Sequence, residues 1–222
     1  MIPRILIDSA DIPGGGQLRL FRRGEEYSIM LGATELMNSR SGGSEQALAA
    51  LALGHLRNRK NPKILIGGLG MGFTLRAALA ELSGGAALIV AELVPAVIDW
   101  AKGPLAHLLG HLISDPRVTV VQGDVAELIG AARGEFDAIL LDIDNGPDGL
   151  TIAANDRIYD AAGLARARAA LTAGGVLAVW SSAPDQAFTR RLRKSGFEVE
   201  ENAVRARGKR GARDTIWTAI NR

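Results

Sequence analysis

The sequence contains no cysteine. Disulfide scaffolds, thiolate-bound zinc, iron–sulfur clusters and thiol nucleophiles are therefore excluded, and a reducing compartment is consistent with the chain. Aromatic residues are scarce at 5%, which favours Ala/Leu helices and glycine-rich turns over an aromatic-packed sandwich. No apolar run approaches the 18 residues that a membrane-crossing helix needs. The opening Met1-Ile-Pro-Arg-Ile-Leu-Ile-Asp8 lacks the apolar core and small-residue cleavage site of a signal peptide, so a cytoplasmic location is expected. Charge is not concentrated in one sign either: the net value is +2, and it makes no general case for nucleic acid. Basic residues do gather at Arg205, Arg207, Lys209, Arg210 and Arg213, but with no aromatic among them to stack a base. They read as a solvated hairpin loop.

What is present is an ordinary globular balance, 47% hydrophobic and 23% charged over 222 residues, with 27 glycines. Residues 1–42 read as a small β-extension. Leu18–Arg22 and Tyr27–Leu31 alternate around Arg23-Gly24-Glu25 as a hairpin does, after the loop signal Pro13-Gly14-Gly15-Gly16. Residues 43–222 read as the main domain. Ser44 is the expected cap of a helix running to about Arg59. Apolar runs at Ile64–Ile66, Ala87–Ala91, Arg117–Val121, Phe136–Leu141 and Val176–Trp180 then alternate with helical stretches. The helices are expected up to Leu82, from Pro95, and over Val125–Ala132, Ile158–Leu171 and Asp185–Lys194. Strand–helix alternation predicts a parallel sheet covered by helices on both faces, a Rossmann-like α/β fold. The last two runs, Phe197–Val204 and Asp214–Ile220, share a short link and are expected to pair antiparallel.

In such sheets, ligands bind beyond the carboxyl ends of the strands, where the strand order reverses. The first strand delivers Gly67-Gly68-Leu69-Gly70-Met71-Gly72 there, a turn that lets a ligand approach backbone N–H groups. A dinucleotide loop would place glycine where Phe73 stands, which weighs against NAD. The second strand ends at Glu92, suited to accept from a ribose diol or to sit as a solvated carboxylate at a helix start. The third delivers Asp124, an acceptor for an adenine amine, a helix cap, or both. The fourth delivers Asp142, with Asp144 and Asp148 close behind. Asp142 is the best placed to take a proton from an amine, while the rest fit a polar turn equally well. His107 and His111 stand four apart but lack the glutamate of a zinc protease, and no metal is expected. No serine sits in a nucleophile elbow.

Taken in order, Ile66-Gly-Gly-Leu-Gly-Met-Gly72, Glu92-Leu-Val-Pro-Ala-Val-Ile98, Val121-Gln-Gly-Asp124 and Phe136-Asp-Ala-Ile-Leu-Leu-Asp142 resemble the spermidine synthase branch of the S-adenosylmethionine-dependent transferases. The resemblance spans roughly residues 18–200, and Phe21–Leu51 is similar to that family's β-extension and linking helix. It implies a seven-stranded methyltransferase-type sheet and a homodimer. It also implies a donor site of Gly68, Gly70, Met71, Gly72, Glu92, Leu93, Asp124, Val125 and Asp142, in which the glycine turn holds the donor's tail, Glu92 the ribose and Asp124 the adenine. Asp142 stands where the family's catalytic Asp does, with Asp144 beside it. The departures point away from the usual reaction. Met71 occupies the place of the loop Asp that grips a decarboxylated donor, Asn145 that of the second acid, and Gly43 and Leu164 those of two pocket aromatics. The expectation is a transferase that binds S-adenosylmethionine or its decarboxylated form and alkylates a small amine, with methyl transfer ranked first. Aminopropyl transfer and a non-catalytic nucleoside-binding relative remain as alternatives, and neither nucleic acid nor membrane is an expected partner.

Overall fold

The computed structural model describes residues 2–12, 15–40, 42–143, 146–147, 156–207 and 210–222. The chain opens with β1 (Ile5–Asp11), β2 (Gln17–Arg23), β3 (Glu26–Leu31) and β4 (Thr34–Asn38), an antiparallel sheet in that order. The expected hairpin is β2–β3, and two further strands flank it. The outer one, β1, is exposed along most of its length, so no burial alternation marks it in the sequence. The small sheet packs on the main domain. Leu18, Leu20, Tyr27 and Ile29 join the same apolar cluster as Leu48 and Leu105, and Trp100 Nε1 donates to Asp8 Oδ2 at 2.7 Å.

The main domain runs α1 (Gly43–Gly54), β5 (Lys63–Gly67), α2 (Phe73–Glu81), β6 (Ala87–Glu92), α3 (Pro95–Lys102), α4 (Ala106–Ile113), β7 (Val118–Gln122), α5 (Val125–Ala131) and β8 (Phe136–Leu141). It continues with α6 (Asp156–Tyr159), α7 (Ala161–Ala170), β9 (Leu171–Ser181), α8 (Gln186–Lys194), β10 (Phe197–Arg207) and β11 (Arg210–Asn221). The seven-stranded sheet has the order β10-β11-β9-β8-β5-β6-β7. The five strands from β9 to β7 are parallel, and β11 pairs antiparallel with both β9 and β10. This is the predicted Rossmann-like sheet with an antiparallel terminal hairpin. No helix among the described residues is long and apolar enough to cross a membrane.

Alternate residues of each central strand feed opposite faces, which is why the strands read as unbroken apolar runs. Ile64, Ile66, Ala138, Leu140, Val176 and Ala178 pack on the face that holds Leu48, Leu75 and Trp100. Leu65, Ile139, Leu141, Leu177 and Val179 pack on the other, with Ile129, Leu164 and Phe188. Trp217 locks the terminal hairpin to α8. Its ring meets Phe188 edge-on at 5.0 Å between centroids, and its Nε1 donates to Thr189 Oγ1 at 2.8 Å. Such a ring pair adds about 1 kcal/mol beyond the area it buries.

Several helix boundaries differ from the sequence expectation, each for a local reason. The stretch from Pro95 divides into α3 and α4 at Gly103-Pro104, because proline removes a helical donor and clashes with the preceding turn. Asp160 interrupts the stretch expected over Ile158–Leu171; its carboxylate accepts from Gly163 N at 2.6 Å and starts α7 afresh. Ser44 lies inside α1 rather than capping it, and its hydroxyl bonds Glu45 Oε2 at 2.7 Å. That helix also ends earlier, at Gly54.

The strand order reverses between β5 and β8, and there the two chains come closest. Asp142 N donates to Gly67 O at 3.1 Å, and Gly68, at φ +90°, lies against the Asp142 carbonyl. A Cβ on Gly68 would stand 2.5 Å from that oxygen. Gly68→Ala therefore forces both backbone strain and a clash, and is expected to lower stability by about 2–4 kcal/mol. Urea denaturation measures it, and a loss below about 0.5 kcal/mol would contradict this account of the crossing.

Candidate functional site

A cavity opens at this reversal point. Its floor is the glycine turn Gly68–Gly72 between β5 and α2. Its sides carry Glu92 and Leu93 after β6, Gly123, Asp124 and Val125 after β7, and Asp142 and Ile143 after β8. Phe73, Glu45 and Trp180 close the far end, and Ile12, Leu18, Leu36 and Met37 of the small N-terminal sheet supply an apolar wall. The structure thus brings together Gly68, Gly70, Met71, Gly72, Glu92, Leu93, Asp124, Val125 and Asp142, all named from the sequence. Asp144 and Asp148 lie outside the described residues.

Glu92 is 8% exposed. Its Oε2 accepts from Leu69 N and its Oε1 from Val94 N, both at 2.9 Å, so one carboxylate ties the glycine turn to the start of α3. Burial raises its pKa, and hydrogen bonds from the Val94, Leu69, Gly70 and Leu93 amides oppose that rise. Its carboxylate also borders the cavity. Gly72 caps α2 in the left-handed conformation, φ +73°, with Leu109 filling the space a Cβ would need. Met71 is 4% exposed and belongs to the main apolar cluster while still facing the cavity.

Asp124 caps α5 as expected, with Oδ1 accepting from Ala126 N at 2.7 Å. Its Oδ2 is ion-paired with Arg157 of α6. That partner lies 33 residues on and has no sequence signature.

Asp142 emerges from β8 into the cavity, and Thr74, in the first turn of α2, donates Oγ1 to its Oδ2 at 2.6 Å. Burial and then the charge of Glu45 push the Asp142 carboxyl up to about 7, against the lowering effect of the Thr74 bond. Asp214, 6% exposed at the start of the buried part of β11, is also raised, first by burial and then by Glu45, with Ser44 opposing. Its Oδ2 has no hydrogen-bond partner among the described residues, nor has Trp180 Nε1. Three carboxylates thus gather around the N-terminus of α1, and no Lys, Arg or His lines the cavity among the described residues. Glu45 and Asp214 were not identified as site residues from the sequence. The register could have located Asp214: β11 runs antiparallel to β9, with Thr215 opposite Ser181, so its beginning lies at the carboxyl ends of the parallel strands. No described group of side chains could hold a metal ion. The arrangement concentrates negative charge beside Asp142.

No protein-family model matches the chain. Putrescine N-methyltransferase 2 of Nicotiana attenuata and putrescine N-methyltransferase 1 of Nicotiana tabacum are each 39% identical to it over 98 residues. That stretch is 44% of this chain and 25% of each relative, so the chain matches about a quarter of the length of these curated relatives. Among solved structures, a spermidine synthase in complex with the transition-state analogue AdoDATO superposes with a TM-score of 0.81 at 20% identity, over 98% of this chain and 74% of that one. The spermidine synthase of Thermotoga maritima gives 0.75 at 21%, over 98% and 73%. The chain has the spermidine synthase fold.

The raised Asp142 carboxyl has a consequence for stability. Its folded pKa of about 7 exceeds the ordinary 3.8, so the folded state holds the proton more tightly than the unfolded chain. Stability should then decline as pH rises from about 4 to 7, with the full penalty present above 7. Asp142→Asn removes that penalty and is expected to melt higher than the parent at pH 8 and near the parent at pH 4. Each kcal/mol regained corresponds to roughly 2–4 °C at this chain length. Scanning calorimetry at the two pH values checks it, and equal melting temperatures at pH 8 would contradict the charge burial.

Proposed function

We propose that the protein is an N-alkyltransferase that moves a group from an adenosyl sulfonium donor to a small amine carrying more than one positive charge. The observation that carries this is Asp142, poised beside Glu45 in a cavity lined by four carboxylates and, among the described residues, by no Lys, Arg or His. Of these four only Asp124 is ion-paired among the described residues, and partly desolvated anions without a counter-charge favour a cationic ligand. The fold and the named relatives support the same chemistry, since spermidine synthases and putrescine N-methyltransferases both bear names of polyamine enzymes.

The residues fit such a donor. The turn Gly68–Gly72 admits a chain against the backbone, Glu92 borders the place of a ribose diol, and Asp124 and Val125 border the base. Such a donor, when bound, supplies a carbon activated by a positively charged sulfur. The chain's own contribution is to orient and to deprotonate. Glu45 draws the acceptor's ammonium group into place, Asp214 behind it adds to the negative charge, and the apolar wall of Ile12, Leu18, Leu36 and Met37 excludes water. Asp142, through Oδ1 (the oxygen that Thr74 does not bond), accepts the proton that frees the nitrogen lone pair. A carboxyl with a pKa near the working pH suits that transfer better than an ordinary aspartate. The new nitrogen–carbon bond forms as the carbon–sulfur bond breaks, with the electron pair passing to sulfur. Holding both partners in line is the larger part of the rate gain.

Methyl transfer is our first reading, because Met71 leaves the glycine turn without an acid to repel the carboxylate of S-adenosylmethionine. Aminopropyl transfer is the second, favoured by the absence, among the described residues, of a basic residue in the cavity lining to bind that carboxylate. Titration calorimetry with both donors separates them, a tenfold preference being about 1.4 kcal/mol. Preference for S-adenosylmethionine supports methyl transfer, and preference for the decarboxylated form replaces it with aminopropyl transfer. Asp142→Asn is expected to lose at least a hundredfold in kcat while donor affinity survives; unchanged turnover would remove Asp142 from the mechanism. kcat/KM should fall as pH drops below about 7, and Thr74→Val, by deleting the bond that lowers the Asp142 pKa, should move that acid limb to higher pH.

A further inference from the structure

The base end of the cavity is built differently from the ribose end. Glu92 is clamped by backbone amides alone, with no cation beside it among the described residues. Asp124 is engaged by two donors of different kinds. Oδ1 is held by Ala126 N in the helix cap, and Oδ2 is held by the guanidinium of Arg157. Arg157 is half-exposed, whereas Asp124 is largely covered. The pair is therefore an ion pair at the rim, with the carboxylate inside and the cation outside. It joins the cap of α5 to α6, two elements that sequence order separates by all of β8.

This arrangement determines how strongly the carboxylate can read an amino group on a purine. A site selects strongly for a hydrogen-bonding group when losing that group leaves a buried partner unsatisfied. Asp124 is not left unsatisfied when no ligand is bound, because Arg157 and Ala126 hold both of its oxygens. We infer that Arg157 is a specificity-determining residue at the base end of the cavity, which, by occupying Asp124, makes recognition of the adenine 6-amino group weak. Donor affinity then rests on the ribose and sulfonium ends. Removal of Arg157 frees Oδ2 for the base and sharpens the choice. This inference rests on the nucleoside-donor reading above.

The test uses 5′-methylthioadenosine and its purine riboside counterpart, which lacks only the 6-amino group, titrated into the parent and into Arg157→Ala by calorimetry. Arg157 is half-exposed, so its replacement leaves the core intact; Arg157→Gln serves as a second variant, and thermal melting checks both. The parent is expected to bind the two nucleosides within threefold of one another. Arg157→Ala is expected to bind 5′-methylthioadenosine more tightly and to separate the pair by tenfold or more. A parent that already prefers the amino compound tenfold overturns the inference while leaving the donor reading intact, as does an Arg157→Ala protein with unaltered preference. Failure of both nucleosides to bind the folded parent overturns the donor reading and the inference with it.

Discussion

The close crossing of two main chains at the strand reversal governs this molecule. Gly68 lies flat against the Asp142 carbonyl, and the amide of Asp142 returns a bond to Gly67. With no side chain between them, the glycine turn and the acid-bearing segment share one floor. Glu92 fastens the turn from the other side through the Leu69 amide. The geometry of the cavity thus follows from backbone contacts, and the side chains that line it are carried by segments whose positions are already fixed.

The same compactness makes the site electrostatically costly. Glu92, Asp142 and Asp214 are all raised by burial, and Glu45 adds its charge to two of them. Basic residues are plentiful in the chain but stand at the periphery, as Arg157 does beside Asp124. A protein that concentrates anions in this way accepts lower intrinsic stability near neutral pH in exchange for a strong field on a cation. Function and stability are often opposed at such sites.

The parallel part of the fold was legible because its strands are buried on both faces and stand out as short apolar runs, such as Ile64–Ile66 and Phe136–Leu141. The site was legible where residues directly follow those runs, since strand ends in this architecture converge. Gly68, Glu92, Asp124 and Asp142 were found that way. What escaped detection depends on contacts distant in sequence. The exposed β1 has no alternation to detect, and Arg157 finds Asp124 only after β8 has crossed the sheet. Thr74 looks like any residue of a first helical turn until folding sets its hydroxyl on Asp142. Asp214 and Glu45 come from opposite ends of the main domain and meet only because the terminal hairpin turns back antiparallel.

The apolar wall of the cavity belongs to a sheet of only four strands, fastened to the rest by one face and by the Trp100–Asp8 bond. Its outer strand, carrying Ile5, Leu6 and Ile7, is open to solvent. A unit so lightly secured opens locally at lower free energy than the doubly covered sheet beneath it. Because Leu18, Leu36 and Met37 of this sheet line the cavity, ligand binding there and the local unfolding of the sheet are linked. Anything that fills the space beside Leu36 and Met37 slows amide exchange in strands well removed from the reacting atoms.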